Sequence, residues 1–290
     1  MSHGKKKKTG ITIVLCIFIC LLGLLGSIFG SLRYAMRDQA IDKLTREWEL
    51  SQMQITKIAD RMSMAQFFVV MVMTPEIDAE GAERLLDAEY TRNFIAAKLK
   101  DFRDDLLVTN GKGLISFDDI EKLEEEYRDA VTEDLRYSVT PEDMERYETT
   151  WDNLGLEERF ILGEYRERYP VPFAIISALL SNWFLALTAI STIALGVGLW
   201  FLNGHSFSGH RVYGVVLLVI GVADCAVSMS CGLLADAVNK FINMRSNVMD
   251  LFFVPVSQMF LILGGIYTLL GIIFVLLSVL VKRRSTRPRL

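Results

Sequence analysis

The chain has 290 residues, of which 51% are hydrophobic and 23% are charged, and its formal net charge at pH 7 is −4. A mean hydropathy of +0.31 excludes an ordinary soluble protein, and the charged fraction excludes a chain that lies wholly in lipid. The apolar and the charged residues are therefore expected to occupy different segments.

The charges are unevenly distributed along the chain. Residues 31–172 contain 19 Lys or Arg and 32 Asp or Glu, whereas the rest of the chain contains 12 basic and 3 acidic residues. All four cysteines lie outside this acidic segment, so it has no disulfide framework. It also lacks an Asn-x-Ser/Thr acceptor, which favours a bacterial envelope over a eukaryotic secretory route.

Four stretches are long and apolar enough to be transmembrane helices, because crossing about 30 Å of hydrocarbon takes about 20 residues. They are residues 11–30, 173–203, 212–235 and 251–281. The apolar core of the first exceeds that of a signal peptide, which favours a retained anchor. The predicted fold class is therefore all-α, with four transmembrane helices and a helical domain, residues 31–172, inserted between the first and second spans.

The basic residues near the spans predict the orientation, since Lys and Arg in short loops are retained in the cytoplasm. Residues 1–10 and 282–290 are basic tails, and Arg211 lies in the middle loop. Only Lys240 and Arg245 lie in the opposite short loop. The pattern predicts a multi-pass protein of the cell membrane with both termini cytoplasmic and the acidic domain extracytoplasmic.

Residues 31–73 contain neither Pro nor Gly, and apolar or small residues recur at steps of three and four from Ile41 to Val72. This heptad-like, coiled-coil stripe predicts that the first span continues outwards as a rod of about 40 residues. Either later helices of the same domain or a second copy of the chain would cover it.

Further along, two Thr-Pro-Glu sequences have the pattern of helix starts, with a capping hydroxyl before a proline at the first helical position. They begin at Thr74 and Thr140. Apolar periodicity predicts helices over residues 82–107 and 117–135 between them, and a further one over 156–168.

Residues 110–119 resemble the second part of a calcium-binding EF-hand loop, with Gly113 at the turn and Asp119 at the final ligand position. However, the first ligand position is Val108 and the fifth is Lys112, where the ion needs oxygen ligands. The preferred interpretation is a turn without metal, in which Ser116 caps the next helix.

Asp224 is the acidic residue that lies well inside a predicted span, where a charge costs at least about 2.5 kcal/mol. On a helix it shares a face with Gly221, Ser228 and Cys231, so this face is expected to meet other helices. Asp224 and Ser228 are therefore the candidate intramembrane site, either as a relay for protons or cations or as a contact that holds helices together.

The sequence contains no catalytic, cofactor-binding or metal-binding motif and no nucleic-acid-binding pattern, so a non-catalytic role is expected. Besides the lipid bilayer, the expected partner is a protein or a second copy of this chain. The first hypothesis is an outer domain that binds a partner, senses or self-assembles, because the cytoplasmic parts are too small for a signalling domain. The alternative is an oligomeric transporter or channel with a path past Asp224.

Overall fold

The computed structural model describes residues 2–55, 62–72, 74–107, 116–153, 168–203, 207–242 and 244–285, and nearly all of them are helical. In chain order the helices are α1 (Ser2–Ala35), α2 (Asp38–Glu47), α3 (Met64–Val72), α4 (Ala79–Asp87), α5 (Glu89–Leu107), α6 (Phe117–Glu126), α7 (Arg128–Leu135), α8 (Pro141–Asn153), α9 (Pro170–Leu180), α10 (Asn182–Leu202), α11 (Phe207–Ile242) and α12 (Val248–Ser285). Two short strands, β1 (Gln54–Ile55) and β2 (Met244–Arg245), pair antiparallel.

Four helices are long and apolar enough to cross a membrane, as the sequence predicts. Their apolar segments are Lys8–Ala35, Asn182–Leu202, Gly209–Phe241 and Val248–Leu280. The predicted second span is divided at Ser181, whose Oγ accepts a hydrogen bond from the Phe184 amide at 3.2 Å and so caps α10. The spanning element is therefore α10, and α9 is a separate apolar helix.

The residues divide into two compact units, neither continuous in sequence. The bundle unit comprises Met1–Tyr34, Ala178–Cys231 and Val254–Leu290. The insert unit comprises Ala35–Ser177 and Gly232–Phe253. The acidic domain thus shares its unit with the connection between α11 and α12.

In the bundle unit, glycines bring α11 and α12 into backbone contact. A Cβ on Gly221 would lie 2.7 Å from the carbonyl oxygen of Gly264, and one on Gly214 would lie 2.8 Å from that of Gly271. The glycines recur every seven residues on each helix, which keeps them on one face of an antiparallel pair. This close approach fixes the register of α11 against α12.

The insert unit has its own hydrophobic core, in which α3, α4, α7 and α8 meet. Its most buried members are Val72, Ile77, Val131 and Leu135, with exposed fractions between 2% and 6%. Tyrosine rings complete the core, since several of them pack against these four residues. The insert unit therefore has a hydrophobic core formed by residues between α1 and α9.

The prediction of a continuous rod over residues 31–73 is wrong. Helix α1 ends at Ala35, and the Arg103 guanidinium donates a hydrogen bond to the freed Met36 carbonyl at 3.1 Å and binds Asp38 beyond the break. Ile41 is then buried where α2 packs against α5. The stripe is covered within the chain by short helices, because tertiary contacts outweigh helix propensity at the break.

The two predicted helix starts differ in outcome. Thr140 precedes α8 as predicted: its amide donates to Asp143 Oδ2 at 2.9 Å, and its Oγ1 accepts from the Asp143 amide at 3.2 Å. Thr74 instead begins a turn, and its hydroxyl bonds to the Tyr147 hydroxyl at 2.8 Å. The next helix starts later, capped by Asp78.

The longer helices predicted in the domain are each divided. The segment 82–107 breaks at Ala88, between α4 and α5, and the segment 117–135 breaks at Tyr127, between α6 and α7. The Tyr127 ring stacks on Tyr90 with centroids 5.1 Å apart, so core packing accompanies the second break. The predicted helix over 156–168 lies almost wholly outside the described residues.

Hydrogen bonds join the connection between α11 and α12 to the end of α2 and the segment that follows it. Asn247 donates through Nδ2 to the Glu47 carbonyl at 3.0 Å and accepts through Oδ1 from the Glu49 amide at 3.3 Å. The Trp48 indole donates to Ser246 Oγ at 3.0 Å, and β1 pairs with β2 alongside. This set of contacts, here called the Asn247 clasp, joins residues about 200 positions apart.

Candidate intramembrane site at Asp224

Asp224 lies in α11 and is completely buried, with 0% exposure. Gly221, Ser228 and Cys231, which share its helical face, are buried as well. This face of α11 therefore meets protein, in keeping with the cost of turning a carboxyl towards lipid.

The hydrogen-bond partner of Asp224 comes from the first span. Ser27 Oγ donates to Asp224 Oδ2 at 2.7 Å, and Ser27 is itself fully buried. One turn earlier on α1, a Cβ on Gly23 would lie 2.7 Å from Ile220 Cδ1 on α11. The missing side chain at Gly23 lets the two helices approach closely, which brings the Ser27 hydroxyl within reach of the carboxyl.

The second carboxyl oxygen is less well satisfied. Asp224 Oδ1 is buried and has no hydrogen-bond partner among the described residues. Tyr267 on α12 lies near enough to interact with both Ser27 and Asp224, but it carries no positive charge. An unpaired ionised carboxylate in low dielectric is costly, so this environment suits a protonated, neutral carboxyl.

The Ser228 hydroxyl bonds to a residue of α12 and not to Asp224, although the sequence places both on one face. Its hydroxyl pairs with Ser257 on α12: the two Oγ atoms are 3.0 Å apart, and each hydroxyl lies within 3.1 Å of the other residue's backbone carbonyl oxygen. The reciprocal pair continues the close contact of α11 with α12. Ser228 therefore belongs to a helix-packing contact separate from the carboxyl.

Sequence reasoning did not identify the groups that surround Asp224. Ser27 appears in the sequence as one member of a stripe of small residues on the first span, and nothing local to it indicates a carboxyl partner 197 residues away. Tyr267 carries no local signal either. The periodicity of the small residues does identify the face of α1 that packs inwards, and this is the signal that could have pointed to Ser27.

Chemically, the Asp224 cluster can hold α1, α11 and α12 together and can exchange one proton. In the described part of the chain, no group of three His, Cys, Asp or Glu residues is placed to hold a metal ion.

The calcium-like loop is only partly described, since residues 108–115 lie outside the described ranges. Both oxygens of Asp119 are engaged: Oδ1 accepts from Lys98 Nζ at 2.7 Å, and Oδ2 accepts from the Ser116 amide at 3.0 Å. Ser116 and Asp119 form a capping box at the start of α6. These contacts support the interpretation of Ser116 as a helix cap.

Comparison with protein-family models, with curated proteins and with solved structures found no match to this chain.

Proposed function

We propose that the chain is a non-catalytic, multi-pass protein of the cell membrane whose inserted helical domain lies outside the cytoplasm and binds a protein partner. The observation that carries the proposal is the insert unit, a folded acidic domain with its own core.

The Asn247 clasp supports the topology. If all four long helices cross the bilayer, the connection from α1 to α10 and the connection from α11 to α12 emerge on the same side. Both connections belong to the insert unit, and Asn247, Ser246 and β2 bind the segment Glu47–Ile55 within it. Loop residues that hydrogen-bond to each other lie on the same side of the bilayer, which agrees with four crossings.

The surface of the insert unit indicates the charge of the partner. Along α8 the exposed side chains include Glu142, Glu145, Glu148 and Asp152. Arg146 is the single basic residue on this helix, and it is paired with Asp143. A basic surface complements this acidic face, whereas a second copy docked face to face would bring like charges together. The partner surface is therefore basic.

Charge reversal on α8 tests the partner. In native membranes, chemical cross-linking of the chain should capture a second protein, and the triple variant Glu142→Lys, Glu145→Lys and Glu148→Lys should reduce its yield at least about tenfold. The same charge change at Glu89, Asp101 and Asp129, which are exposed on α5 and α7, is the control and should leave the yield unchanged. Recovery of the monomer alone would contradict the proposal.

Impermeant labelling tests the orientation independently. A membrane-impermeant maleimide should label Glu148→Cys in intact cells and should label Lys8→Cys only after lysis, because the native cysteines lie within the apolar helices. Labelling of Lys8→Cys alone in intact cells would show that the topology is inverted.

The alternative is an oligomeric transporter or channel with a path past Asp224. It is favoured by the buried carboxyl oxygen that lacks a partner among the described residues. Proton or cation flux into vesicles, compared between the parent and Asp224→Asn, separates the two functions. Equal flux in the two proteins, or none in either, would remove this alternative.

A further inference from the structure

The bundle unit contains a cavity of about 510 Å³ between α10, α11 and α12. Its lining includes Thr192, Gly196, Trp200, His210, Tyr213 and Tyr267, and all lining residues fall inside the segments able to span a membrane. Most of the lining is aliphatic or aromatic. The cavity has the size of a small-molecule site and lies where hydrocarbon is the solvent.

Two glycines in the lining let α10 and α11 pack closely beside the cavity. A Cβ on Gly196 would lie 2.6 Å from the Tyr213 ring, and one on Gly209 would lie 3.1 Å from the Trp200 Cα. The inner wall is closed by Leu217, which is 2% exposed. The Thr192 hydroxyl donates its hydrogen bond to the Thr188 carbonyl at 2.7 Å, so this donor is not available to a molecule in the cavity. Such a wall gives water few partners.

The outer side of the cavity is open to the surroundings of the bundle unit. Ala189, Ile193 and Val197 are spaced four residues apart on α10 and line the cavity, and Ile193 and Val197 are 62% and 47% exposed. Within a bilayer these side chains face hydrocarbon. A lipid chain can therefore enter from the side without crossing water.

The cavity has the depth of one leaflet. From Trp200 to Ala189 along α10, the helical rise gives about 16 Å, close to half of a hydrocarbon core of about 30 Å. The Trp200 end lies near the end of the α10 span, where amphipathic rings occupy the boundary with water. There His210 stacks on Phe274, with ring centroids 6.1 Å apart. The lining thus has amphipathic aromatic rings at one end and mainly apolar side chains further in. The first end suits a lipid headgroup, and the interior suits its hydrocarbon chain.

We propose that this cavity is a lipid-binding site that takes one hydrocarbon chain of a phospholipid, with the headgroup at the Trp200 and His210 end and the chain end near Ala189 and Tyr267. The driving force is packing: a chain transferred from the bilayer loses no hydrophobic contact and fills space that would otherwise lack contacting atoms. Tyr267 forms part of the chain-end wall and also faces the Ser27–Asp224 pair. The site is distinct from partner binding by the insert unit.

Photolabelling tests the proposal with a matched pair of variants. The full-length chain is reconstituted in phosphatidylcholine vesicles containing a small fraction of phosphatidylcholine with a diazirine at the chain end, and the labelled residues are mapped by mass spectrometry. Labelling should concentrate on the cavity lining around Ala189 and Tyr267, at the end away from Trp200. Ala189→Phe fills the cavity and should lower this labelling at least about fivefold. Ala194→Phe, an exposed position on the same helix outside the cavity lining, should not change it.

Labelling spread evenly over all exposed faces of the spans would contradict the proposed site. So would an equal effect of Ala189→Phe and Ala194→Phe on the labelling. A fluorescence measurement that does not use Ala189→Phe tests the site even if this variant misfolds. In variants of the parent that retain only Trp200 or only Trp183, brominated lipid at a low fraction should quench Trp200 more strongly. Trp183 is 87% exposed and reports ordinary lipid contact. Equal quenching of the two tryptophans at every lipid fraction would also overturn the proposal.

Discussion

Two buried carboxyls in this chain are stabilised in different ways. Asp143 in the insert unit is 2% exposed and accepts hydrogen bonds from Thr140, Tyr137 and Arg146. Asp224 in the bundle unit accepts one, from Ser27. The first carboxyl is held as an ion at a helix start, where the helix dipole favours negative charge. One oxygen of the second has no donor among the residues that the structure describes.

Removal of the Asp143 side chain should destabilise the insert unit. We expect Asp143→Ala to cost about 1 to 2 kcal/mol of unfolding free energy, because the capping box is lost and the half-buried Tyr137 and Thr140 donors lose their acceptor. Glu142→Ala, at the exposed neighbouring position, is the control and should change it by less than about 0.5 kcal/mol. Chemical denaturation followed by tyrosine and tryptophan fluorescence measures both, and equal effects would contradict the capping role.

Acid should destabilise α6 and α8 for the same reason. Burial acts to raise the pKa of Asp143, but hydrogen bonds from Thr140 and Tyr137 and the nearby Arg146 charge lower it below its usual value. Asp119 behaves likewise: hydrogen bonds from Lys98 and Ser116 outweigh burial and lower its pKa. A lowered folded-state pKa contributes stability that is fully present above the unfolded pKa of about 3.9 and is lost as the pH falls through the folded value.

Hydrogen exchange measures this pH dependence. Once exchange rates are corrected for the intrinsic effect of pH, amide protection in α6 and α8 should be constant near neutrality and should decrease below about pH 4. In Asp143→Ala the decrease in α8 should be smaller, because the titrating group is gone. Unchanged protection of the parent down to pH 2 would contradict the assignment.

At the scale of the elements, glycine contacts define the α11–α12 pair. A Cβ on Gly264 would lie 2.8 Å from Cys225 Sγ and 2.9 Å from the Gly221 carbonyl oxygen, whereas one on the adjacent Gly265 would meet nothing within 4 Å. We expect Gly264→Val to lower the melting temperature in detergent by several degrees, through about 2 kcal/mol or more of overpacking. Gly265→Val should change it little, and equal effects would disprove the close contact.

The Asn247 clasp gives a second prediction about an element. Asn247→Ala removes an acceptor for the Glu49 amide and a donor to the Glu47 carbonyl, which should cost about 1 kcal/mol and should increase cleavage by added protease near Trp48. Asp250→Ala, at an exposed position in the first turn of α12, is the control. No difference in cleavage between the two variants would contradict the role of the clasp.

The sequence predicted some elements well because their causes are local. Thr140 and Asp143 lie three residues apart, and the spans follow from continuous apolar length. The break after Ala35 depends on Arg103, and the turn at Thr74 depends on Tyr147, which are 67 and 73 residues away from their partners. Such contacts leave no periodic signal, so the predicted rod and the predicted helix start at Thr74 failed.

At the scale of the whole molecule, the uneven distribution of apolar and charged residues predicted four apolar helices and an all-α fold. The discontinuous units were not predictable in this way, because their membership depends on the pairing of β1 with β2 and on Asn247. The same applies to the candidate site. Hydrophobic length identified Asp224 as unusual, but the contact of α1 with α11 selected Ser27 as its partner.

The clasp has a consequence for biosynthesis. The ribosome adds Glu47 and Trp48 early, whereas Ser246 and Asn247 follow about 200 residues later, so the domain is completed only when the last helical hairpin emerges. Until then the edge of β1 and the end of α2 lack these partners, and the nascent chain presents unpaired backbone there. Truncation before α12 would therefore leave a domain that folding factors and quality-control proteases can recognise as unfinished.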